Sequence, residues 1–326
     1  MRMHCLRAPL GLTLLLLLGC GEVEREPLEG RPAGPQRMTL AVTPLRPQPG
    51  EDSLLTWQLR DTTSGKPVTD LAVLHERVIH NFIVNRDFSS FAHIHHEDFR
   101  PLAAADLAQA RFSLPYRFPR AGHYRIVSEY THRGRGRVKH FDLTVGDPPE
   151  RPRALPPVRL VQDSADYHGR LQLSPARPVA GFETELVLEL VQGGAAVTDL
   201  ALSLGSEAHV AVWRDDGSDF GHTHSFTPHM AEMLAAMHGA GGDPATRARR
   251  LVEMMTQMMN MPSELVYPGP RIPLRYVFPS PGRYHVFIQC APGGVARVFD
   301  FVVDVVAHAE GMDTRVDSMV PAGHQP

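Results

Sequence analysis

The most constraining feature of this sequence is that most of it is written twice. Pro44, Arg46, Pro47 and Gly50 recur as Pro175, Arg177, Pro178 and Gly181, all at an offset of 131. Val68-Thr69-Asp70-Leu71 recurs as Val197-Thr198-Asp199-Leu200 at offset 129. At that same offset His80, Asp87, Phe91, His93 and His95 recur as His209, Asp216, Phe220, His222 and His224. Tyr116, Phe118, Pro119, Gly122 and Tyr124 recur as Tyr276, Phe278, Pro279, Gly282 and Tyr284 at offset 160, so the second copy holds 31 extra residues. Agreement at fixed offsets over such a length implies two homologous units, each with its own core.

Each copy reads as short strands. Met38 to Val42 and Ser53 to Leu59 alternate, with Leu55, Trp57 and Leu59 on one face. Val78 to Val84, Arg125 to Tyr130, Val138 to Val145 and Val295 to Val306 are rich in β-branched and aromatic residues. The 27 Gly and 29 Pro punctuate the gaps, which favours turns over a helical bundle. About seven strands per copy predict an all-β chain of two tandem immunoglobulin-like β-sandwiches, at 38–146 and 158–307. Residues 147–157 read as a Pro-rich linker and 308–326 as a polar, flexible tail. A net charge of −3 argues against nucleic acid as the main partner.

The N-terminus reads as an address. Arg2 and Arg7 precede an apolar run from Ala8 to Leu18 that is too short to span a bilayer, so residues 1–19 form a signal peptide. Leu17-Leu18-Gly19-Cys20 matches a bacterial lipobox, which makes Cys20 the lipidated first residue and 20–37 a tether. The expected place is the cell envelope, anchored by lipid and facing the periplasm or the exterior. Gly21 after the Cys favours the outer membrane in a diderm host. With Cys5 removed and Cys20 acylated, Cys290 is the one thiol left, so no internal disulfide can form.

The repeated histidines carry the chemistry. His-x12-His-x-His occurs in both copies around a turn-forming Asp. A turn centred between Asp87 and Phe88 sets His80 opposite His95 and Phe82 opposite His93. Opposed residues share a face, and His93 and His95 share one by period two. His80, His93 and His95 then converge, as do His209, His222 and His224. Three imidazoles on a rigid hairpin suit copper or zinc, and the affinity order favours copper. Cys290 is a further candidate ligand. Structural histidines, hydrogen-bonded to Asp87 or Asp216 or to a backbone carbonyl, are the competing explanation. His75, His96, His123, His132 and His285 have no histidine counterpart in the other copy and read as surface residues.

The whole pattern resembles secreted bacterial β-sandwich domains of the YtkA/FixH type. They share Gly65-Lys66-Pro67-Val68-Thr69-Asp70-Leu71, then His80, Asp87 and Phe91-Ala92-His93-Ile94-His95, then Phe118-Pro119-Arg120-Ala121-Gly122-His123-Tyr124. The second copy keeps all but the start of the first motif, where Ala195-Ala196 precede Val197. The resemblance implies a secreted sandwich and an association with periplasmic metal handling.

The insertion, about 226–262, reads as a helical hairpin. Thr227-Pro228 and Asp243-Pro244 look like helix starts, and Gly239 and Pro262 like stops. Met230, Met233 and Met237 share one face; Met254 and Met258 share another. Such a face packs onto the sandwich, offers thioethers to copper(I), or docks an envelope partner. No phosphate loop, nucleophile elbow, His-Glu-x-x-His or Cys-x-x-Cys is present, so the expectation is a non-enzyme. Two functions follow: a metal-handling envelope protein, or an interaction module docking a partner through its Met-rich helices or sheet edges.

Overall fold

The computed structural model describes residues 36–73, 77–148, 154–204, 206–225, 266–267, 269–317 and 319. Cys20, His75 and the methionines at 230, 233, 237, 254 and 258 lie outside them, as does the helical insertion.

The first unit comprises β1 (Gln36–Thr43), β2 (Asp52–Asp61), β3 (Leu71–Ala72), β4 (Ile79–Asn85), β5 (Phe91–Ile94), a short helix α1 (Ala104–Gln109), β6 (Arg111–Arg117), β7 (Gly122–His132) and β8 (Arg135–Val145). β1, β2 and β6 form one antiparallel sheet; β5, β4, β7 and β8 form the other, with β3 also on β7. Trp57, Phe112, Leu114, Ile83, Ile126 and Phe118 fill the space between them. The second unit repeats the plan with β9 (Val161–Ser164), β10 (Tyr167–Ser174), β11 (Glu183–Gln192), β12 (Ala195–Ala196), β13 (Leu200–Ala201), β14 (Ala208–Arg214), β15 (Phe220–His224), β16 (Val266–Tyr267), β17 (Arg271–Val277), β18 (Gly282–Pro292) and β19 (Arg297–Val305). Its hairpin β14–β15 lies beside β18 and β19, as β4–β5 lies beside β7 and β8. The chain is two tandem immunoglobulin-like β-sandwiches.

The shared motifs are fold devices. The Tyr124 hydroxyl donates to the Arg120 carbonyl and the Tyr284 hydroxyl to the Ser280 carbonyl, each at 2.9 Å. These are tyrosine corners, which close one end of a sandwich. Gly50 and Gly181 sit at φ +76 and +83, and each donates its N–H across the sandwich, to Phe118 and Phe278. A side chain at those angles is strained, which is the physical content of the repeated Gly. Asp87 and Asp216 accept the N–H of Ser89 and Ser218 at 3.0 and 2.9 Å, setting both hairpin tips.

The two units do not hang apart. All seven residues of β4 are buried. Asn81 and Ile83 point into the first sandwich, where Asn81 Oδ1 accepts from Ser128, which itself accepts from Trp57 Nε1. Phe82 and Val84 point outward and meet Ala211, Trp213, Phe220 and Phe287 of the second unit in a third core, together with Phe88 and Val127. Phe91 stacks on Phe287 at 4.3 Å. The contacts exchange under an approximate two-fold relation. Phe88 stacks on His285, and at the equivalent place Arg125 donates to the carbonyl of Gly217, the counterpart of Phe88. This is a self-complementary interface of the kind that joins symmetric dimers, here within one chain.

Three histidines read as surface residues are instead buried: His96, His132 and His285, 2%, 7% and 4% exposed. Each has hydrogen-bond partners for its ring, Ser113 at Nδ1 of His96, Gln36 and Asp70 for His132, and Asp215 and Asp300 for His285. The segment read as a flexible tail begins against the second unit. Asp317 donates its N–H to Ser174 and Met319 to Glu185.

Candidate metal centre

Phe82 pairs with His93 across the β4–β5 ladder, and Asn81 with Ile94. In the second unit His209 pairs with His224 and Ala211 with His222. The period-two geometry therefore places three imidazoles of each hairpin on its outward face, the face used by the interface between the units.

In the first unit they converge closely. His95 Nε2 lies 3.0 Å from both His80 Nδ1 and His93 Nε2, which are 3.3 Å from each other. All three residues are buried, at 6%, 8% and 1% exposure for His80, His93 and His95. A triangle of those sides has a point about 1 Å out of its plane that is about 2.0–2.1 Å from every corner, the bond length of imidazole to zinc or copper. The donor set fits a divalent transition ion.

Hydrogen bonding can join these three nitrogens only by sharing an N–H or a lone pair between two neighbours. His95 Nδ1 lies 2.9 Å from Asp98 Oδ2. A carboxylate only accepts, so the neutral ring carries its proton on Nδ1 and turns a lone pair inward at Nε2. One lone pair accepts one well-directed N–H, yet two ring nitrogens sit equally close to it. A cation takes all three lone pairs at once. The carboxylate–histidine pair is also the outer arrangement that orients metal-binding imidazoles and raises their basicity.

The second unit repeats the arrangement with its first two rings farther apart, 6.1 Å between centroids against 5.5 Å. One ring nitrogen from each of His209, His222 and His224 lies within 4.8 Å of the other two. His209 donates from Nε2 to the Ser203 carbonyl at 2.7 Å, leaving Nδ1 as its lone-pair atom. His222 donates from Nδ1 to Glu129 Oε2 at 2.8 Å, and its buried Nε2 has no hydrogen-bond partner among the described residues. The donor atoms, Nδ1 of the first histidine and Nε2 of the second, are thus the same in both copies.

Burial holds His93 well below the ordinary imidazole range, helped by repulsion from His95, His209, His80 and His222. Burial also lowers His95, against a partial opposing pull from Asp98. Both effects favour the neutral, metal-competent ring. A buried histidine with a depressed folded-state value stabilises the fold fully above its unfolded value of 6.5, and that contribution is lost as pH falls through the folded value. Chelator-treated protein is therefore expected to melt lower at pH 5.5 than at pH 7.5. The gap should narrow in His93→Gln. An unchanged melting temperature across this window would mean that the rings are not buried neutral.

Cys290 is not brought to either cluster. It pairs with Ala208, while His209 pairs with Gln289, so Cys290 faces the opposite side of the sheet. It lies in the second sandwich core, where burial pushes its thiol up to about 12 and keeps it from being a thiolate ligand. Asp98, Glu129 and Ser203, the partners that orient the rings, carry no periodic signal in the sequence; Glu129 and His222 are 93 residues apart. A cleft of about 520 Å³ opens elsewhere along the interface, lined by Arg46, Arg86, Phe88, Arg125, Trp213 and Asp215 among others. It contains none of the six histidines.

Two sandwiches that share a histidine-bearing face define a two-domain β protein with matched donor sets. The chain belongs to the family described as Domain of unknown function (DUF8832), whose model matches residues 34–147 and again 163–307. No curated protein matches the sequence. Similar solved structures include the Yersinia pseudotuberculosis adhesin InvE, at 11% identity and TM-score 0.22, covering 82% of this chain and 58% of that one. Invasin, a bacterial integrin-binding protein, is 10% identical with TM-score 0.22, covering 83% of this chain and 40% of that one. The Escherichia coli adhesin FdeC is 10% identical with TM-score 0.21, covering 83% and 64%. At these scores the likeness carries no argument about function.

Proposed function

We propose that this is a cell-envelope metal-handling protein that holds a divalent transition ion in each three-histidine set. The observation that carries this reading is the buried triangle of His80 Nδ1, His93 Nε2 and His95 Nε2 with sides of 3.0–3.3 Å. Neutral imidazoles without a thiolate suit copper(II) and zinc, with copper favoured at equal availability. Three protein ligands leave a further coordination position, as in sites that exchange their metal or take a small ligand. The envelope location rests on the signal-like N-terminus and on Cys20 as lipid attachment point, and the resemblance to YtkA/FixH-type domains agrees with it.

Metal content and titration of the fragment beginning after Cys20 test the reading. Two equivalents of copper or zinc are expected, falling to one in His93→Ala and in His222→Ala with the fold retained by circular dichroism. Folded protein that takes up no metal would overturn it. It would favour the second reading, in which the histidines are structural and the protein docks an envelope partner.

A further inference from the structure

The two histidine sets are not separate. Across the interface between the units, His80 and His222 have ring centroids 5.6 Å apart, His93 and His209 5.5 Å, and His93 and His222 5.6 Å. Within the sets four pairs are closer, at 4.4–4.8 Å, but His80–His93 at 5.5 Å and His209–His222 at 6.1 Å are spaced like the pairs across the interface. The second set also depends on the first unit for its support. Glu129, which fixes His222, stands on β7 directly opposite His80 of β4.

We infer that the six histidines form one two-metal centre built between the sandwiches, with Glu129 of the first unit positioning a ligand of the second site. This rests on the metal-binding reading above and goes beyond it, because two independent sites would satisfy that reading equally. A ring nitrogen stands about 1.1 Å from its centroid and a bound ion about 2.0–2.1 Å beyond. The 5.6 Å between His93 and His222 therefore caps the ion–ion separation at about 12 Å. Two divalent ions this close, in an interface from which water is largely excluded, feel each other strongly. Loading one must alter the affinity of the other, and the effect must be reciprocal.

The two donor sets are unequal, which gives an order of filling. The first is closed, with nitrogens 3.0–3.3 Å apart, and its ions meet preformed geometry. The second is less closed, with His209 and His222 centroids 6.1 Å apart against 5.5 Å for His80 and His93, and with His222 and His224 only partly buried. The first set therefore fills first.

Electron paramagnetic resonance of the purified full chain, titrated with copper(II) alone, tests this. At one equivalent, a single mononuclear spectrum is expected. At two, the signal should be dipolar-broadened and weaker than twice the first. His224→Ala should hold one equivalent and show no broadening. Glu129→Gln should weaken the second equivalent by about 10–100-fold and leave the first nearly unchanged, the usual scale for losing the partner that orients a metal-bound histidine. A two-equivalent spectrum equal to the sum of two isolated copper signals would overturn the shared centre while leaving metal binding intact. Saturation at one equivalent in the unaltered chain would overturn the shared centre and the second site with it, leaving binding at a single set. No uptake at all would overturn both.

Discussion

The metal-loaded protein is expected to melt at least about 10 °C above the same protein after chelation. The argument is mass action. An ion that binds only the folded state at a free concentration 1,000 times its dissociation constant adds about 4.1 kcal/mol per site. In proteins of 150–250 residues each kcal/mol moves the midpoint by roughly 2–4 °C. One filled site already accounts for such a rise, and a second adds to it, less so if repulsion between the ions weakens it. The histidines of an unfolded chain bind metal weakly, which reduces the effect without removing it. Calorimetry with copper or zinc, then with excess chelator, reads it directly. The rise should halve or more in His95→Ala, which removes the ring that faces both neighbours at 3.0 Å. A midpoint indifferent to metal and chelator would sink the reading.

The second large effect falls on the interface rather than on a ligand. Trp213→Ala is expected to cost roughly 3–5 kcal/mol, the usual range for deleting a buried aromatic side chain. Trp213 is 0% exposed and packs its ring against Phe220 at 4.6 Å and Phe88 at 6.1 Å. It shares a strand face with Ala211 and His209, so the cavity opens next to the second histidine set. Copper affinity should therefore fall along with stability, even though no ligand is touched. Trp213→Phe should be much milder. It keeps most of the apolar contact, and the indole N–H it removes is buried without a hydrogen-bond partner among the described residues. Val295→Ala, at a residue 52% exposed, should stay within about 0.5 kcal/mol. Denaturant unfolding with copper titration measures all three. Trp213→Ala protein with unaltered stability and affinity would show that the units do not depend on this interface.

Much of the architecture was legible because it is local. Period-two alternation places Leu55, Trp57 and Leu59 on one face, and all three are at most 1% exposed in the first core. The hairpin register followed from counting outward from the Asp-bearing turn, since in a two-stranded ladder the turn sets every pair beyond it. The burial of His96, His132 and His285 was not legible from comparing the copies. Lacking a counterpart shows only that the common fold can do without a residue. Each of these rings is held by partners particular to its own surroundings, at separations of 17, 62 and 70 residues. Cys290 misled for a related reason. It is near His209 in space by strand order but one residue out of phase, and a single step along a strand changes faces.

The amino-acid sequence alone determined that there are two sandwiches, which residues turn inward in each, and that three imidazoles gather on one face of each hairpin. Those properties depend on near neighbours and on the two-residue period of a strand. It held a hint of more: β4 and β14 are apolar on both faces, with Phe82 and Val84 outward on one and Ala211 and Trp213 on the other. Such strands need cover on both sides. Which surface provides that cover is a sum over two whole faces, not a property of any window of sequence. Only the tertiary structure decided that each face covers the other, bringing His93 to within 5.6 Å of His222 and Glu129 against the second site.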